Sequence, residues 1–255
     1  MRRGNFKVRI FIFIAIAAFA YLRKCSQEEI NPYTGKKQAI SLSPQEEIAI
    51  GLQSAPGMAQ QHGGLHPNNQ YQALVDNVGN KLVNNSVAKD TPYQYEFHLL
   101  ADENTINAFA LPGGQIFITY ALFSKLENQD QLAGVLGHEI GHVLGKHSNE
   151  RITNSKYWQT LIMGSSVIDA GGIAQQYGQG QLLKNGRGDE LESDELGVKF
   201  MMDSGYNPEE MIGVMEILKA AAGPNRVPEF QSTHPDPENR IEKIREAIRK
   251  YKKAS

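Results

Sequence analysis

Five consecutive residues near the middle of the chain carry side chains that can bind a metal and move protons. His138 and His142 are four residues apart, so on a helix they lie one turn apart on the same face and can bind one cation together. Zinc suits imidazole nitrogens combined with a carboxylate. Glu139 stands beside the pair, where it can take a proton from a water on the metal and pass it to a leaving amine. The pattern therefore predicts one zinc ion per chain and hydrolysis of peptide bonds.

The residues around the pattern decide between this interpretation and a simpler one. The same spacing also occurs on solvated helix faces in unrelated proteins. Here Val135, Leu136, Val143 and Leu144 flank it and indicate a mostly buried helix. Because buried histidine and glutamate side chains need partners, the metal-binding interpretation is favoured.

A catalytic zinc needs a third protein ligand and an open position. One candidate is His147, but it falls one residue short of the third histidine in the metzincin pattern, where this chain has Ser148. We interpret His147 as a structural or capping residue. The other candidate is Glu190, which shares a helix face with Asp194 at i and i+4. Glu190 can bind the metal while Asp194 binds the far nitrogen of a ligand histidine.

The elements that must position these residues predict an α+β fold, mainly helical with one small sheet. Most apolar residues recur at helical spacing, whereas Tyr95, Phe97 and Leu99 alternate with polar residues as in a strand. Pro112-Gly113-Gly114 separates two short apolar runs and predicts a hairpin. The predicted helices are 43–55, 71–84, 120–126, 129–146, 158–173, 190–204, 208–222 and 239–252, the predicted strands are 95–99, 108–111 and 115–118, and residues 56–68 are predicted as a loop.

The N-terminus predicts export. Four basic residues (Arg2, Arg3, Lys7 and Arg9) precede an apolar run at 10–22 that is shorter than the roughly 17 residues a membrane span needs. Ala18-Phe19-Ala20 offers a signal-peptide cleavage site, but the basic residues directly after it disfavour cleavage. We therefore expect a cleaved signal peptide or a retained membrane anchor at 1–25, followed by a linker or arm at 26–45 and a metallopeptidase domain at 46–255.

Composition excludes several other classes of function. The formal net charge is -2, and no basic patch with aromatic residues indicates nucleic-acid binding. The single cysteine, Cys25, rules out an intrachain disulfide and a cysteine-rich zinc site. The residues before Cys25 lack the small side chains that lipoprotein processing requires, so a lipoprotein is not favoured.

Motifs spread over residues 31–245 resemble those of gluzincin metallopeptidases related to the CAAX prenyl protease and the mitochondrial inner-membrane stress protease, especially the exported bacterial members. Each motif is modest alone, and their order along the chain makes the resemblance specific. The motifs are Asn31-Pro32-Tyr33-Thr34-Gly35-Lys36, Asn107-Ala108-Phe109-Ala110-Leu111-Pro112-Gly113-Gly114, the helix from His138 through His147-Ser148, Arg187-Gly188-Asp189-Glu190 with Ser193-Asp194, Gly205-Tyr206-Asn207-Pro208, and Ser232-Thr233-His234-Pro235 with Arg240-Ile241.

The resemblance implies a zincin-type domain with three metal ligands, His138, His142 and Glu190, and with Glu139 as the catalytic base. It also implies that the strand before Pro112 lines the cleft as a sheet edge to which a substrate strand is added. Such proteins usually have alanine where this chain has Ser193, a small-for-small change that we expect to be harmless.

His234 matches a histidine that lies near the metal in these proteins. Two roles follow from the resemblance: His234 stabilises the oxyanion, or it occupies the open position of the zinc and holds the enzyme latent. A histidine in a turn before Pro235 is the simpler interpretation.

The expected activity is that of a zinc-dependent endopeptidase in the periplasm or anchored to a membrane facing outward. Its expected substrates are misfolded or envelope polypeptides, cleaved in quality control or processing. The alternative is a latent or chaperone-like envelope factor with a blocked zinc site. The glycine-rich stretch 164–188 is interpreted as a mobile lid, and we expect no helical-repeat module because only a short stretch follows Arg240.

Overall fold

The computed structural model describes residues 6–221, 234 and 239–253. This part of the chain is mainly helical with two small sheets, which confirms the predicted α+β class. The helices are α1 (Phe6–Ser26), α2 (Pro44–Gln61), α3 (Asn69–Asn84), α4 (Tyr120–Phe123), α5 (Gln129–Leu144), α6 (His147–Ser166), α7 (Gly171–Asp203), α8 (Glu210–Ala221) and α9 (Arg240–Lys252), with a 3-10 turn at Val87–Asp90. The strands are β1 (Glu28–Ile30), β2 (Lys37–Ala39), β3 (Glu96–Leu100), β4 (Ala108–Ala110) and β5 (Gln115–Thr119).

The chain forms two compact units, and each of them is discontinuous in sequence. Unit 1 combines Met1–Leu42 with Lys146–Gly186, and unit 2 combines Ser43–Gly145 with Arg187–Ser255. Helix α7 supplies residues to both units, since the division falls between Gly186 and Arg187.

In unit 1, helix α1 packs along α6. Gly164 allows the close approach, because a Cβ atom there would lie 2.8 Å from Cγ2 of Ile16. Arg9 forms an ion pair of 2.7 Å with Asp169 and donates a hydrogen bond to the carbonyl of Val167. No helix of the described chain combines the length and the apolar character needed to cross a membrane.

The stretch expected to be a linker or arm contains a β hairpin. Strands β1 and β2 pair in antiparallel fashion, and the turn between them is organised by Asn31, whose Oδ1 accepts hydrogen bonds from the amides of Tyr33 and Thr34. After the hairpin, the side chain of Asn149 in α6 forms hydrogen bonds with the backbone of Ser41 and Leu42. Its Oδ1 accepts from the Ser41 and Leu42 amides and its Nδ2 donates to the Leu42 carbonyl, so this segment is fixed to α6.

Unit 2 contains a three-stranded sheet in the order β3-β5-β4. Strand β5 lies in the centre, parallel to β3 and antiparallel to β4, and its side chains are buried along its length. One edge, β3, is covered by Gln72, whose amide binds both the Phe97 carbonyl and the Leu99 amide. The hairpin predicted at Pro112-Gly113-Gly114 is confirmed as the β4–β5 connection.

The core of unit 2 forms around helix α5. Its N-cap is Asn128, whose side chain accepts a hydrogen bond from the Gln131 amide. Nearly every residue of α5 is buried, which confirms the expectation of a buried helix around the histidine pair. The helix ends at Leu144, two residues before the predicted end, because Lys146 turns into the left-handed region with φ 54°. His147 then begins α6 and is buried.

Three secondary-structure predictions are wrong. The helix predicted at 158–173 is interrupted, because α6 ends at Ser166 and α7 begins at Gly171. The loop predicted at 56–68 begins later, because α2 continues through Pro56 and Gly57 to Gln61. Both residues are exposed, so the hydrogen bond that proline cannot donate is lost on the solvent side of the helix. The break predicted before Glu190 is absent, since α7 is one helix of 33 residues.

The stretch interpreted as a lid is therefore helical over most of its length. Gly178 has a packing role in unit 1, since a Cβ there would lie 3.1 Å from the ring of Trp158. The movement of this stretch stays a prediction. The predictions that involve Arg2, Arg3, Ser232, Thr233 and Pro235 lie outside the described residues.

Candidate metal centre

The two histidines of α5 face each other across one helical turn. Nε2 of His138 lies 3.0 Å from Nε2 of His142, and the two rings meet edge to face. His138 is buried and His142 is partly exposed. Two nitrogens pointing at one place from adjacent turns are what the i, i+4 spacing predicts.

Small residues bring the second helix close enough to complete the group. A Cβ on Gly141 would lie 3.0 Å from Cα of Ser193, and a Cβ on Gly137 would lie 3.4 Å from Cα of Gly197. Helices α5 and α7 therefore touch backbone to backbone at these positions. The small residue at 193 is thus required by packing, and serine meets that requirement.

This close crossing places the Glu190 carboxylate against both histidines. Its Oε2 lies 3.3 Å from Nε2 of His138, and its Oε1 lies 3.4 Å from Nε2 of His142. Burial alone would raise the pKa of Glu190, but the charges of His234 and His142 and the histidine hydrogen bonds lower it well below its usual value. Glu190 is therefore an ionised, buried carboxylate aimed at the two imidazoles.

Asp194 lies one turn further along α7, on the far side of the His138 ring. Its Oδ1 is 2.9 Å from Nδ1 of His138, so Nδ1–H donates to the carboxylate and Nε2 is the nitrogen that faces the rest of the group. Arg240 grips the same carboxylate through Nε at 2.7 Å and Nη2 at 2.9 Å. Burial opposes ionisation of Asp194, but the charge of Arg240 and its hydrogen bonds lower the pKa below the usual value.

His234 is a fourth member of the group. Its Nδ1 lies 3.2 Å from both Glu190 oxygens and 3.4 Å from Nε2 of His138. Its Nε2 lies 3.2 Å from the carbonyl oxygen of Ala108, which can only accept a hydrogen bond. Nε2 of His234 can therefore donate to this carbonyl, while Nδ1 faces the other three residues of the group.

Glu139 is buried beside this group without any polar partner. It is 1% exposed, and neither carboxylate oxygen has a hydrogen-bond partner among the residues described. The His234 ring lies beside it, with Nε2 3.6 Å from Oε1 of Glu139. Burial raises the pKa of this carboxyl. An unpartnered buried carboxylate is costly unless a further ligand or water completes its surroundings.

The four donor atoms fit a zinc ion. With zinc–ligand bonds near 2.0–2.2 Å, neighbouring donors of a tetrahedron are about 3.3 Å apart. The donors of His138, Glu190 and His234 lie 3.2–3.4 Å from one another, and Nε2 of His142 lies 3.0 Å from His138 and 3.4 Å from Glu190. All four residues have donor atoms within 4.8 Å of one another. Two or three imidazoles with one carboxylate also match the ligand chemistry that zinc prefers.

All six candidate site residues come together here. His138, His142, Glu190 and His234 form the donor group, Glu139 lies against it, and Asp194 supports His138. His147 does not belong to the donor group.

Two contributors escaped the sequence analysis. Arg240 was named only as part of the last motif and was given no role. No spacing rule connects a residue of the final helix with a carboxylate of α7. Ala108 contributes its backbone carbonyl, which every residue has, so its residue type does not indicate this contact. Only the strand predicted around Ala108 pointed to this part of the chain.

Comparisons with known proteins match one family and several curated relatives. The model of one protein family, described as Peptidase family M48, matches residues 69–248. The matched range includes every residue of the donor group together with Glu139, Asp194 and Arg240.

Curated relatives are similar over most of this chain. Mitochondrial metalloendopeptidase OMA1 of Schizosaccharomyces pombe is 31% identical over 245 residues, which are 92% of this chain and 71% of the relative. Beta-barrel assembly-enhancing protease of Yersinia pestis is 27% identical over 88% of this chain, which spans 48% of that relative. Metalloprotease YcaL of Escherichia coli is 26% identical over 83% of both chains. This chain thus spans about half the length of one of these relatives and most of the other two.

Proposed function

This chain belongs to peptidase family M48 and is a metallopeptidase, and we propose that it is a zinc endopeptidase in which Glu139 is the general base. The observation that carries the proposal is the donor group: three ligand residues from two helices at tetrahedral spacing, with an unpartnered buried carboxylate beside them.

His138, His142 and Glu190 would hold the zinc ion. When bound, zinc polarises a peptide carbonyl and makes water acidic enough to ionise near neutral pH. Glu139 takes a proton from the attacking water and delivers it to the leaving nitrogen. Burial raises the pKa of Glu139 in the metal-free protein, and a carboxyl that binds a proton more readily than an exposed glutamate is suited to accept one from water.

Strand β4 supplies the proposed substrate-binding edge. Asn107 and Leu111 bond to β5 through their backbone groups, so the alternating pattern turns those of Ala108 and Ala110 away from β5. An extended polypeptide can add to this edge with main-chain hydrogen bonds, which favour peptides with little regard to side chain. Polypeptides in extended or misfolded form are therefore the proposed substrates.

His234 is proposed to hold the enzyme latent. Its Nδ1 faces the donor group as a fourth ligand, and its Nε2–H occupies the Ala108 carbonyl, one of the groups that a substrate strand would use. Peptide hydrolysis then requires His234 to leave both positions. Stabilisation of the oxyanion by His234 is the competing role, and a chaperone-like factor with a permanently blocked site is the competing function.

The proposed location is outside the cytoplasm, in the periplasm or at a membrane, with a role in the quality control of envelope proteins. Helix α1 supports this part, since it has no acidic residue and exposes apolar side chains, with Phe11 72% and Leu22 66% exposed. Residues 1–25 would serve as the signal peptide or as the membrane attachment.

The test uses the full chain and casein as substrate, with zinc content measured in each variant. We expect Glu139→Gln to keep zinc and to lose at least about 100-fold in hydrolysis, because only the base is removed. His234→Ala should raise hydrolysis if His234 is a latch, whereas a fall of about 100-fold would assign it to the oxyanion.

The double variant Glu139→Gln/His234→Ala is the control. Activity that survives in it would reject Glu139 as the base. Folded wild-type protein that binds no zinc would reject the ligand assignment. Absence of hydrolysis in both zinc-loaded wild type and zinc-loaded His234→Ala would support the chaperone-like function.

A further inference from the structure

Arg240 is a buried cation at the metal centre that the proposed reaction does not use. It is the first residue of α9 and only 5% exposed. A buried arginine loses its hydration, and ion pairs in protein interiors often add nothing to stability. A contribution to stability therefore does not explain why Arg240 is buried here.

The guanidinium makes a two-pronged contact with Asp194. Nε lies 2.7 Å from Oδ2 and Nη2 lies 2.9 Å from Oδ1, the paired geometry in which a planar guanidinium fixes the plane of a carboxylate. Because Oδ1 of Asp194 also accepts from Nδ1 of His138, fixing this plane fixes the direction in which Nε2 of His138 points.

A second contact links the same guanidinium to another ligand. Nη2 of Arg240 lies 3.5 Å from Oε2 of Glu190, the oxygen that faces His138. Arg240 therefore touches the support of one ligand and approaches a second one directly. Lysine could supply the charge here but not the planar fork.

The packing of α9 does not depend on this contact alone. Ile244, Ala247 and Ile248 form a buried apolar stripe on one face of the helix, and α9 packs against α8. Docking of the stripe places Arg240, at the first turn, beside Asp194. Apolar packing can thus hold α9 in place, and α9 in turn positions the Arg240 side chain at the site.

We propose that Arg240 is a positioning residue that holds Asp194 in the orientation presenting His138 to the metal, so that docking of α9 and metal binding are coupled. This inference rests on the proposed zinc function. It assigns to the C-terminal helix a part in the metal centre in addition to its part in the core. Coupling of this kind is reciprocal, so bound zinc also stabilises the docked helix.

The experiment measures the zinc dissociation constant of the full chain by competition with a chromophoric chelator. Arg240→Lys keeps the charge and loses the fork, and we expect its zinc affinity to fall about 10- to 100-fold, as for other residues that orient metal ligands. Arg245→Lys is the matched control, because Arg245 is exposed on the same helix, and its affinity should equal that of wild type. The absorption bands of the cobalt-substituted protein should change only in Arg240→Lys.

A double-mutant comparison separates positioning from a merely structural role. In an Asp194→Asn background, Arg240→Lys should have a much smaller effect on zinc affinity, since the fork then has no carboxylate to orient. Lower thermal stability of Arg240→Lys with unchanged zinc affinity and cobalt spectrum would overturn the inference. Wild-type protein that binds no zinc would instead reject the proposed function.

Hydrogen exchange of the wild-type protein provides a measurement that does not require any variant to fold. Added zinc should slow exchange of the amides in the first turns of α9. Exchange in α9 that is identical with and without zinc, in protein shown to bind the ion, would also overturn the coupling.

Discussion

At the scale of single residues, His138 is the point where the interactions of the metal centre converge. Burial lowers its pKa, but the hydrogen bonds to Asp194 and Glu190 outweigh burial and raise the pKa to about 9. A histidine must be neutral to bind zinc, so at neutral pH metal binding displaces a proton from this ring. The two carboxylates that favour the proton in the metal-free protein are thus the groups that favour the metal when it is bound.

The ion pair between His62 and Asp102 gives a pH-dependent prediction away from the metal centre. Nδ1 of His62 lies 2.9 Å from Oδ2 of Asp102, and the amides of Asn104 and Thr105 donate to Oδ1. Burial would raise the pKa of Asp102, but these hydrogen bonds outweigh it and hold the pKa well below 3.8. The stabilisation is therefore present above pH 3.8 and is lost as the pH falls toward the folded-state value.

We expect Asp102→Asn to lower the free energy of unfolding by about 1–3 kcal/mol at pH 7, with the difference from wild type shrinking below about pH 4. Urea denaturation at several pH values measures it. Glu103→Gln, an exposed neighbour, should have little effect at any pH. A difference for Asp102→Asn that is independent of pH would show that its charge is not what stabilises the fold.

The sequence predicted the residues of the candidate donor group and a contact of Asp194 with a histidine, but not the contact of Arg240. His138, Glu139 and His142 follow from helical spacing, and Glu190 and Asp194 follow from the same spacing on a second helix. Arg240 does not, because its contact with Asp194 spans 46 residues and depends on how α9 packs. Local periodicity tells which residues share a helix face, whereas contacts between distant elements depend on the packing of the whole unit.

At the scale of elements, the position of the substrate edge depends on how closely α2 approaches the β4–β5 turn. A Cβ on Gly51 would lie 2.0 Å from the carbonyl oxygen of Pro112. Gly113, with φ 84°, reaches back so that its own Cβ would lie 2.4 Å from Cα of Ile48. Two glycines on opposite sides of one contact therefore set the distance between this helix and the end of β4.

Gly51→Ala should destabilise the protein by about 1–3 kcal/mol, because the added methyl group must push the turn away. Peptide hydrolysis should fall as well, since β4 ends at this turn. The matched control is Gly57→Ala on the same helix, where no atom lies within 4 Å of the added Cβ. That change should stabilise by about 0.5–1 kcal/mol through helix propensity. Thermal melts and hydrolysis rates measure both, and equal effects of the two changes would contradict the packing argument.

Glycine also explains where the element predictions were wrong. Glycine-rich composition predicted a break in α7 before Glu190, yet Gly178 lies within the helix at a close contact with Trp158. A glycine lowers helix propensity by about 1 kcal/mol, and tertiary packing can outweigh this cost. Composition alone does not distinguish a glycine that ends a helix from one that lets a helix approach its neighbour.

At the scale of the whole molecule, the proposed metal ligands belong to one of the two units. His138, His142, Glu190 and His234 all belong to unit 2, whereas unit 1 consists of Met1–Leu42 and Lys146–Gly186. The sequence did not predict this division, because each unit joins two segments that are separated along the chain by the residues of the other unit. Such assembly depends on which apolar faces pack together, and periodicity within each segment carries no information on that choice.

This division predicts that removing the metal affects the two units differently. Zinc binding contributes about 4 kcal/mol of stability at a thousandfold excess over its dissociation constant, which corresponds to roughly 10 °C for a unit of this size. That contribution acts directly on unit 2. The single tryptophan, Trp158, lies in unit 1, where it packs against Tyr157, Tyr177 and Gly178, so its fluorescence reports on that unit.

We therefore expect chelation to lower the first melting transition in circular dichroism by roughly 10 °C while the transition in tryptophan fluorescence moves much less. Glu139→Gln should behave like wild type, because it keeps all ligands, and Glu190→Gln should melt at the lower temperature with or without zinc. If both signals shift together in wild type, the two units unfold as one, and the metal then stabilises the entire chain through the helix that they share.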